Sequence, residues 1–380
     1  MRFPAPHRVL HRPVPARRDR CPRAAVGAAF ALAALVPMLA PAPARAWSDL
    51  GHALITAEAV ERLPDPLKAL LSEGGNLRRL QDASAAPDQW RAEEKKTHRG
   101  EEHYTSVERP KHFFDIDALA EKAGLKTFSE FPRARAEAER IVGAEALDAF
   151  GRGPWAAADA LEAFARALSD GRTDDAFRQA GALAHYAADL HMPFHTTRNY
   201  DGQETGNGGI HFAVEIGLLK RNEGFFAAEM RRDRAEVPYV EDAEAALFEW
   251  LLAAHGRVRP ILDADAAART ATGYNPGLRE NKPDLDDLAS ERAAPYYRAL
   301  QDALAARGHP VAAALRDASA DTARLLYTAY VRAGKPLSLA AAPRPKPEEA
   351  FPWSWAVIGV MVLFILLWPA RRPRRPGPKG

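Results

Sequence analysis

The chain has 380 residues, 47% hydrophobic and 27% charged, with a net charge of +2 and one cysteine. The charge is uneven: residues 1–46 carry net +7 and residues 344–380 net +5, which leaves residues 47–343 at net −10. An acidic body of this kind excludes holding duplex nucleic acid by bulk basic charge, and with Cys21 confined to the leader the rest of the chain can form neither a disulfide nor a thiolate metal site, so any metal must be held by His, Asp and Glu.

Residues 1–46 read as an export signal. Arg2, Arg8, Arg12, Arg17, Arg18, Arg20 and Arg23 make a basic leader, an apolar run spans Ala24 to Ala40, and Ala44-Arg45-Ala46 places small residues where a signal peptidase reads. Cleavage there makes Trp47 the mature N-terminus, with a periplasmic or extracellular domain. Residues 47–339 are expected to form one domain, near the upper end of single-domain size. Apolar residues at three- and four-residue spacing predict helices over 57–63, 67–71, 134–150, 156–168, 174–190, 242–257, 295–306 and 311–331. No alternating strand pattern competes, so the expected fold is all-α, a single multi-helix domain. Segments 93–110, highly charged, and 199–209, rich in Gly and Asn, read as loops. A Pro-rich linker is expected at 340–352.

The stretch between Glu349 and Arg371 has no charge over 21 residues. Its length suits a bilayer core of about 30 Å. Trp353, Trp355 and Trp368 lie near its ends, and Arg371, Arg372, Arg374 and Arg375 follow. These features predict a C-terminal transmembrane helix at 353–370 and a basic cytoplasmic tail at 371–380, anchoring the domain to the membrane.

The residues that carry chemistry centre on Ala184-His185-Tyr186-Ala187-Ala188-Asp189-Leu190-His191-Met192-Pro193-Phe194-His195. His185 and Asp189 are four apart on a predicted helix and share a face. Pro193 ends that helix, and His195 projects from the turn. His211 and Glu215 repeat the four-residue spacing, a ready two-point metal clamp. Upstream lie His112 in Lys111-His112-Phe113-Phe114, Asp88 in Pro87-Asp88-Gln89-Trp90, and the start Trp47-Ser48-Asp49-Leu50-Gly51-His52. Each alone is a weak signal; the ordered set behind a cleavage site is far more specific. His98, His103, His255 and His309 read as surface residues and His191 as a neighbour of the ligands or a surface residue. Asn199, Asp201 and Asn207 are candidates for a cleft wall.

This order and spacing resembles the superfamily of zinc-dependent bacterial phospholipases C and the single-strand-specific zinc nucleases of fungi and plants. The resemblance implies an all-helical fold with a trinuclear metal cleft holding three zinc ions. It implies that Asp88, His112, His185 and Asp189 hold the first zinc. The α-amine and carbonyl of Trp47, with His52 and a bridging Asp189, hold another, and His195, His211 and Glu215 hold the third. It further implies hydrolysis of a phosphate ester by metal-activated water, with Asp88 as the catalytic proton acceptor. The short spacing from Trp47 to His52 is the nuclease arrangement, whereas Glu215 is the phospholipase one. The gap of 24 residues from Asp88 to His112 is longer than the pattern, and Ala188 replaces the glycine often found before the bridging Asp. The expected function is nuclease or 3′-nucleotidase activity on single-stranded nucleic acid or nucleotides. The alternatives are phospholipase C activity on phospholipid head groups and a non-catalytic, membrane-tethered zinc-binding protein. No protein partner is implied.

Overall fold

Helices begin at Ser48, one residue past Trp47, in a computed structural model that describes residues 47–101, 104–281 and 290–336. In chain order they are α1 (Ser48–Arg62), α2 (Leu67–Ser72), α3 (Asn76–Thr97), α4 (Ile116–Lys122), α5 (Arg135–Val142), α6 (Ala144–Phe150), α7 (Gly153–Ser169) and α8 (Thr173–His191). A segmented helix follows, made of α9 (Ile210–Phe212), a π-helical stretch (Ala213–Leu218) and α10 (Leu219–Arg221). Then come α11 (Glu223–Met230), α12 (Ala243–His255), α13 (Val258–Thr272), α14 (Ala294–Ala305) and α15 (Pro310–Arg332). Among the described residues there is no strand, only an isolated bridge between Phe114 and Gly151.

The all-helical expectation holds, with one correction to the fold class. The correction is that the described residues form a single helical domain in which no helix is long and apolar enough to cross a membrane, so the fold class stands without the C-terminal transmembrane helix expected at 353–370 as part of it. That segment lies outside the described residues, as do the signal at 1–46, the linker at 340–352 and the tail at 371–380.

Helix α8 is the axis of the domain. Every residue from Ala180 to His191 is buried. A helix buried on all sides must meet neighbours closely, and its Ala and Gly residues permit that. Gly181 shows the limit: a Cβ there would come within 2.6 Å of three atoms of Ala83 in α3, two of them backbone. Pro87 lies inside α3 and cannot donate to the Ala83 carbonyl, which opens this turn where α8 presses against it. Ala187 belongs to one apolar cluster with Leu80, Trp155, Phe164 and Leu183, whereas the adjacent Ala188 belongs to a second with Trp47, Phe194, Ile210 and Tyr296. His185 and Asp189 of α8 are fully buried beside these two cores.

Two buried polar contacts fix the surroundings. His191 donates from Nε2 to Asp321 Oδ2 at 2.9 Å, tying α8 to α15. Asp265 of α13 accepts from Tyr296 Oη and from Asn207 Nδ2, both at 2.6 Å, and so pins the loop that leads into α9.

Gly181→Val should lower the thermal midpoint by an amount equivalent to about 1–3 kcal/mol, because the clash is with backbone. Gly181→Ser should cost less. Equal stability of the valine variant in a melting experiment would contradict the close helix contact.

Candidate metal centre

Eight of the residues singled out from sequence are buried and meet at one place. His52 comes from α1, Asp88 from α3, and His185 and Asp189 from α8. His112 ends the 3-10 turn Arg109–His112, and His195 ends the 3-10 turn Pro193–His195. His211 lies in α9, and Glu215 in the π-helical stretch, where the wider turn re-aims its side chain.

Asp189 is the hub. Its Oδ1 lies 3.4 Å from His52 Nε2 and 3.8 Å from His195 Nδ1. Its Oδ2 lies 3.1 Å from His112 Nδ1 and 3.2 Å from His185 Nε2. His185 donates from Nδ1 to the Ser84 carbonyl at 2.8 Å, which fixes its tautomer and leaves Nε2 facing His112 Nδ1 at 2.9 Å. On its other side His112 turns Nε2 towards Glu108 Oε1 at 3.6 Å. Glu108 is itself held by Tyr186 Oη and, at 2.8 Å, by Lys111 Nζ. Carboxylates that orient a ligand imidazole from behind are a common support of metal sites. His211 Nε2 lies 3.4 Å from Glu215 Oε2.

Three groups have ligand atoms close enough to hold a metal ion: His52, His185 and Asp189; Asp88, His112 and His185; and His195, His211 and Glu215. The hydrogen-bond inventory shows why a cation fits. Both ring nitrogens of His52 and of His211, Nε2 of His112, Nδ1 of His195, Oδ2 of Asp88, Oδ1 of Asp189 and both oxygens of Glu215 are buried without a hydrogen-bond partner. Each such atom costs about 1–3 kcal/mol, and the set is concentrated here. Imidazole nitrogens and carboxylate oxygens converging in this way match the donor preference of zinc and similar divalent ions.

Without a cation in place, the titration directions of the cluster divide. Burial drives His52 and His211 well below the ordinary histidine range and His195 down to about 4. Burial raises Asp88, and Glu215 strongly. For His185 burial opposes the charged ring, but the charge and hydrogen bond of Asp189 outweigh it and lift the pKa to about 9. His52, His195 and His211 are thus neutral rings with lone pairs to donate, whereas His185 must give up a proton to take a metal ion.

A cavity of about 460 Å³ opens over His112, His195 and His211. Arg91, Arg109 and Arg198 bring positive charge to its wall, and Phe113, Phe194 and Tyr200 bring flat apolar faces. The Arg109 guanidinium sits 4.8 Å over the Phe113 ring, a cation–π contact. A larger cavity of about 810 Å³ lies behind Glu108 and Tyr186, away from the ligand atoms.

Trp47 is fully buried and donates from its indole nitrogen to the Ala188 carbonyl at 2.9 Å, which places it beside the hub. The structure does not bring every other candidate to the site. His191 is buried in its pair with Asp321 rather than at the surface. His255 is half-buried against Thr196, and His309 is half-buried against Phe225. His98 stacks on Tyr104, and His103 lies outside the described residues. Asp201 accepts from the backbone nitrogens of Gly209 and His211, so it caps the start of α9 rather than lining the cleft. Asn199 and Asn207 likewise brace the loop. Sequence reasoning missed Glu108, Arg91 and Arg109. The available signal was spacing: Glu108 precedes His112 by four residues, and Arg91 follows Asp88 by three.

No protein-family model matches the chain, and no characterised protein matches it in sequence. The chemistry of the site therefore rests on its own side chains.

Glu108 gives a direct check on the support behind His112. Burial works against its carboxylate, but the neighbouring His112 and the bonds from Lys111 and Tyr186 outweigh it and hold the pKa at about 2, below the ordinary 4.5. A depressed folded pKa stabilises fully above the ordinary value, and that contribution is lost as pH falls towards the folded one. With chelator present, Glu108→Gln should be less stable than wild type at about pH 6, and the difference in denaturant midpoint should narrow towards about pH 4. A gap that does not change with pH would contradict the contact.

Proposed function

We propose that this protein is a zinc-dependent phosphoesterase acting on single-stranded nucleic acid or nucleotides. The observation that carries the reading is the position of the arginine- and aromatic-lined cleft directly over buried, unpartnered ligand atoms. Anionic phosphate suits Arg91 and Arg109, and a base suits Tyr200 or Phe113.

His185 offers only Nε2, so it can serve one ion. With His185 assigned to Asp88 and His112, His52 and Asp189 need further donors, and the backbone of Trp47 is the nearest candidate named by the resemblance. Trp47 and Ser48 have φ of 39° and 46°, in the left-handed region that side chains disfavour. Cleavage before Trp47, as the sequence leads us to expect, would free its amine to serve as that donor. His195, His211 and Glu215 would hold a third ion.

When bound, zinc supplies Lewis-acid charge and lowers the pKa of water. The chain's own groups do the rest. Arg91 and Arg109 hold the non-bridging phosphate oxygens and counter the charge that grows on them. Asp88, with Oδ2 free, accepts the proton of the attacking water. Glu108 and the Ser84 carbonyl keep the rings of His112 and His185 in register. The apolar faces of Phe113 and Phe194 restrict bulk water.

The test is turnover by the purified protein of single-stranded DNA, a 3′-nucleotide and phosphatidylcholine in parallel. Cleavage of the first or second is expected, lost with chelator and restored by zinc. Cleavage of phosphatidylcholine alone would replace the nuclease reading with a phospholipase one. Zinc binding without turnover of any of them would favour a binding protein.

A further inference from the structure

Past the π-helical stretch, the end of the segmented helix faces α14 across another cavity. It measures about 510 Å³ and shares no lining residue with the cleft over the metal cluster. One wall is Lys220-Arg221-Asn222. The other is a single face of α14, where Ala294, Tyr297 and Gln301 recur at three- and four-residue spacing and Arg298 and Asp302 lie beside them.

The fold does not use up the polar atoms here. Tyr297 is buried, yet its hydroxyl has no hydrogen-bond partner, and neither has Gln301 Oε1 one turn further on. Asn222 donates from Nδ2 to the Leu218 carbonyl, which leaves its Oδ1 as an acceptor. Lys220 and Arg298 form no ion pair among the described residues, and the Arg221 guanidinium lies 4.6 Å over the Tyr297 ring. Against these three cations the lining holds one carboxylate, Asp302. The cations suit an anionic group. The acceptors Gln301 Oε1, Asn222 Oδ1 and Asp302 suit hydroxyl donors, and the Tyr297 hydroxyl can serve either. A small molecule that carries both is a hydroxylated anion, and the volume lies within the range of small-molecule sites, about 300–1,000 Å³.

Tyr297 also joins this cavity to the helix of the metal cluster. A Cβ at Gly217 would collide with Tyr297 Oη, so the hydroxyl packs on backbone two residues past Glu215. A ligand held by Tyr297 therefore bears on the π-helical stretch that aims Glu215.

We propose that the cavity between α10 and α14 is a second ligand site, taking a sugar phosphate or a hydroxy acid, and that its occupancy steadies the π-helical stretch carrying Glu215. The site is independent of what the metal cluster does. Lys220 and Arg298 are exposed, so replacing them does not threaten the fold.

The experiment titrates the zinc-loaded protein, by calorimetry, with a hydrolysis-resistant phosphonate analogue of ribose 5-phosphate and with gluconate; the tighter of the two identifies the source of the anion. Inorganic phosphate and ribitol probe charge alone and hydroxyls alone. Lys220→Gln/Arg298→Gln should weaken binding of the preferred probe about tenfold and leave ribitol and phosphate nearly unaffected. Tyr297→Phe should weaken it about threefold, yet melt no lower than wild type without ligand, because an unpartnered hydroxyl contributes no stability. The probe should slow hydrogen exchange of backbone amides 213–222 in wild type and not in the double variant. Equal affinity for wild type and both variants overturns the site. An equal loss of inorganic phosphate binding overturns the hydroxylated class. A Tyr297→Phe protein that melts lower and binds normally overturns the role of its hydroxyl and assigns it to packing. Weakened binding in the variants with no change of exchange at 213–218 overturns the link to Glu215. None of these readouts needs turnover, so they stand whether or not the phosphoesterase reading does.

Discussion

Four imidazoles face one buried carboxylate, and the middle of the fold is arranged around that fact. Asp189 lies within 3.8 Å of His52, His112, His185 and His195 and is inaccessible to solvent. Burying an isolated carboxylate costs several kcal/mol after relaxation. Burial alone would push its pKa up, but the surrounding histidines hold Asp189 well below the ordinary range. Helix α8 must therefore deliver Asp189 to a point that α1, α3 and two short turns can all reach. Its run of small residues makes that convergence possible. The close contact at Gly181 and the bond from His185 to Ser84 hold α3 in place. The two apolar cores on either side exclude water, which raises the cost of leaving the ligand atoms unpartnered and so favours a bound cation.

The site also resolves a conflict in charge. A domain of net −10 should repel phosphate. The described arginines mostly neutralise nearby acids, as Arg62 does with Glu58 and Arg135 with Asp159. In the cleft wall Arg198 follows that pattern with Glu121 and Glu204, whereas Arg91 and Arg109 form no ion pair among the described residues. On the proposed reading, local charge from these guanidinium groups and from ions held by the cluster would outweigh the net charge at the cleft.

Much of the centre was legible because its spacing is local. His185 and Asp189 are one turn apart on a helix whose predicted bounds, 174–190, nearly match Thr173–His191. His211 and Glu215 have the same spacing, although a π-helical stretch realises it. The all-helical class followed from the absence of alternation. What was hidden depended on tertiary packing. Helix α3 was concealed by Pro87 and by its polar composition, so Arg91 went unread and Lys95 was assigned to a charged loop. The expected helix at 134–150 divides in two, because Gly143 adopts φ of 87° between α5 and α6. His191 lies two residues after Asp189 and four before His195, yet its partner Asp321 is 130 positions away, a pairing no local pattern reveals. Glu108 acts only through His112, and its role becomes visible once both side chains are in place.

The most direct test of this account is the zinc content of the purified protein and of Asp189→Asn, measured by elemental analysis after exhaustive dialysis, with circular dichroism to confirm that the helices persist. Wild type is expected to retain about three ions, and the variant about one, held by His195, His211 and Glu215. A helical variant that keeps the full wild-type zinc content, or a wild-type protein that takes up none, would contradict the claim that Asp189 organises a metal centre.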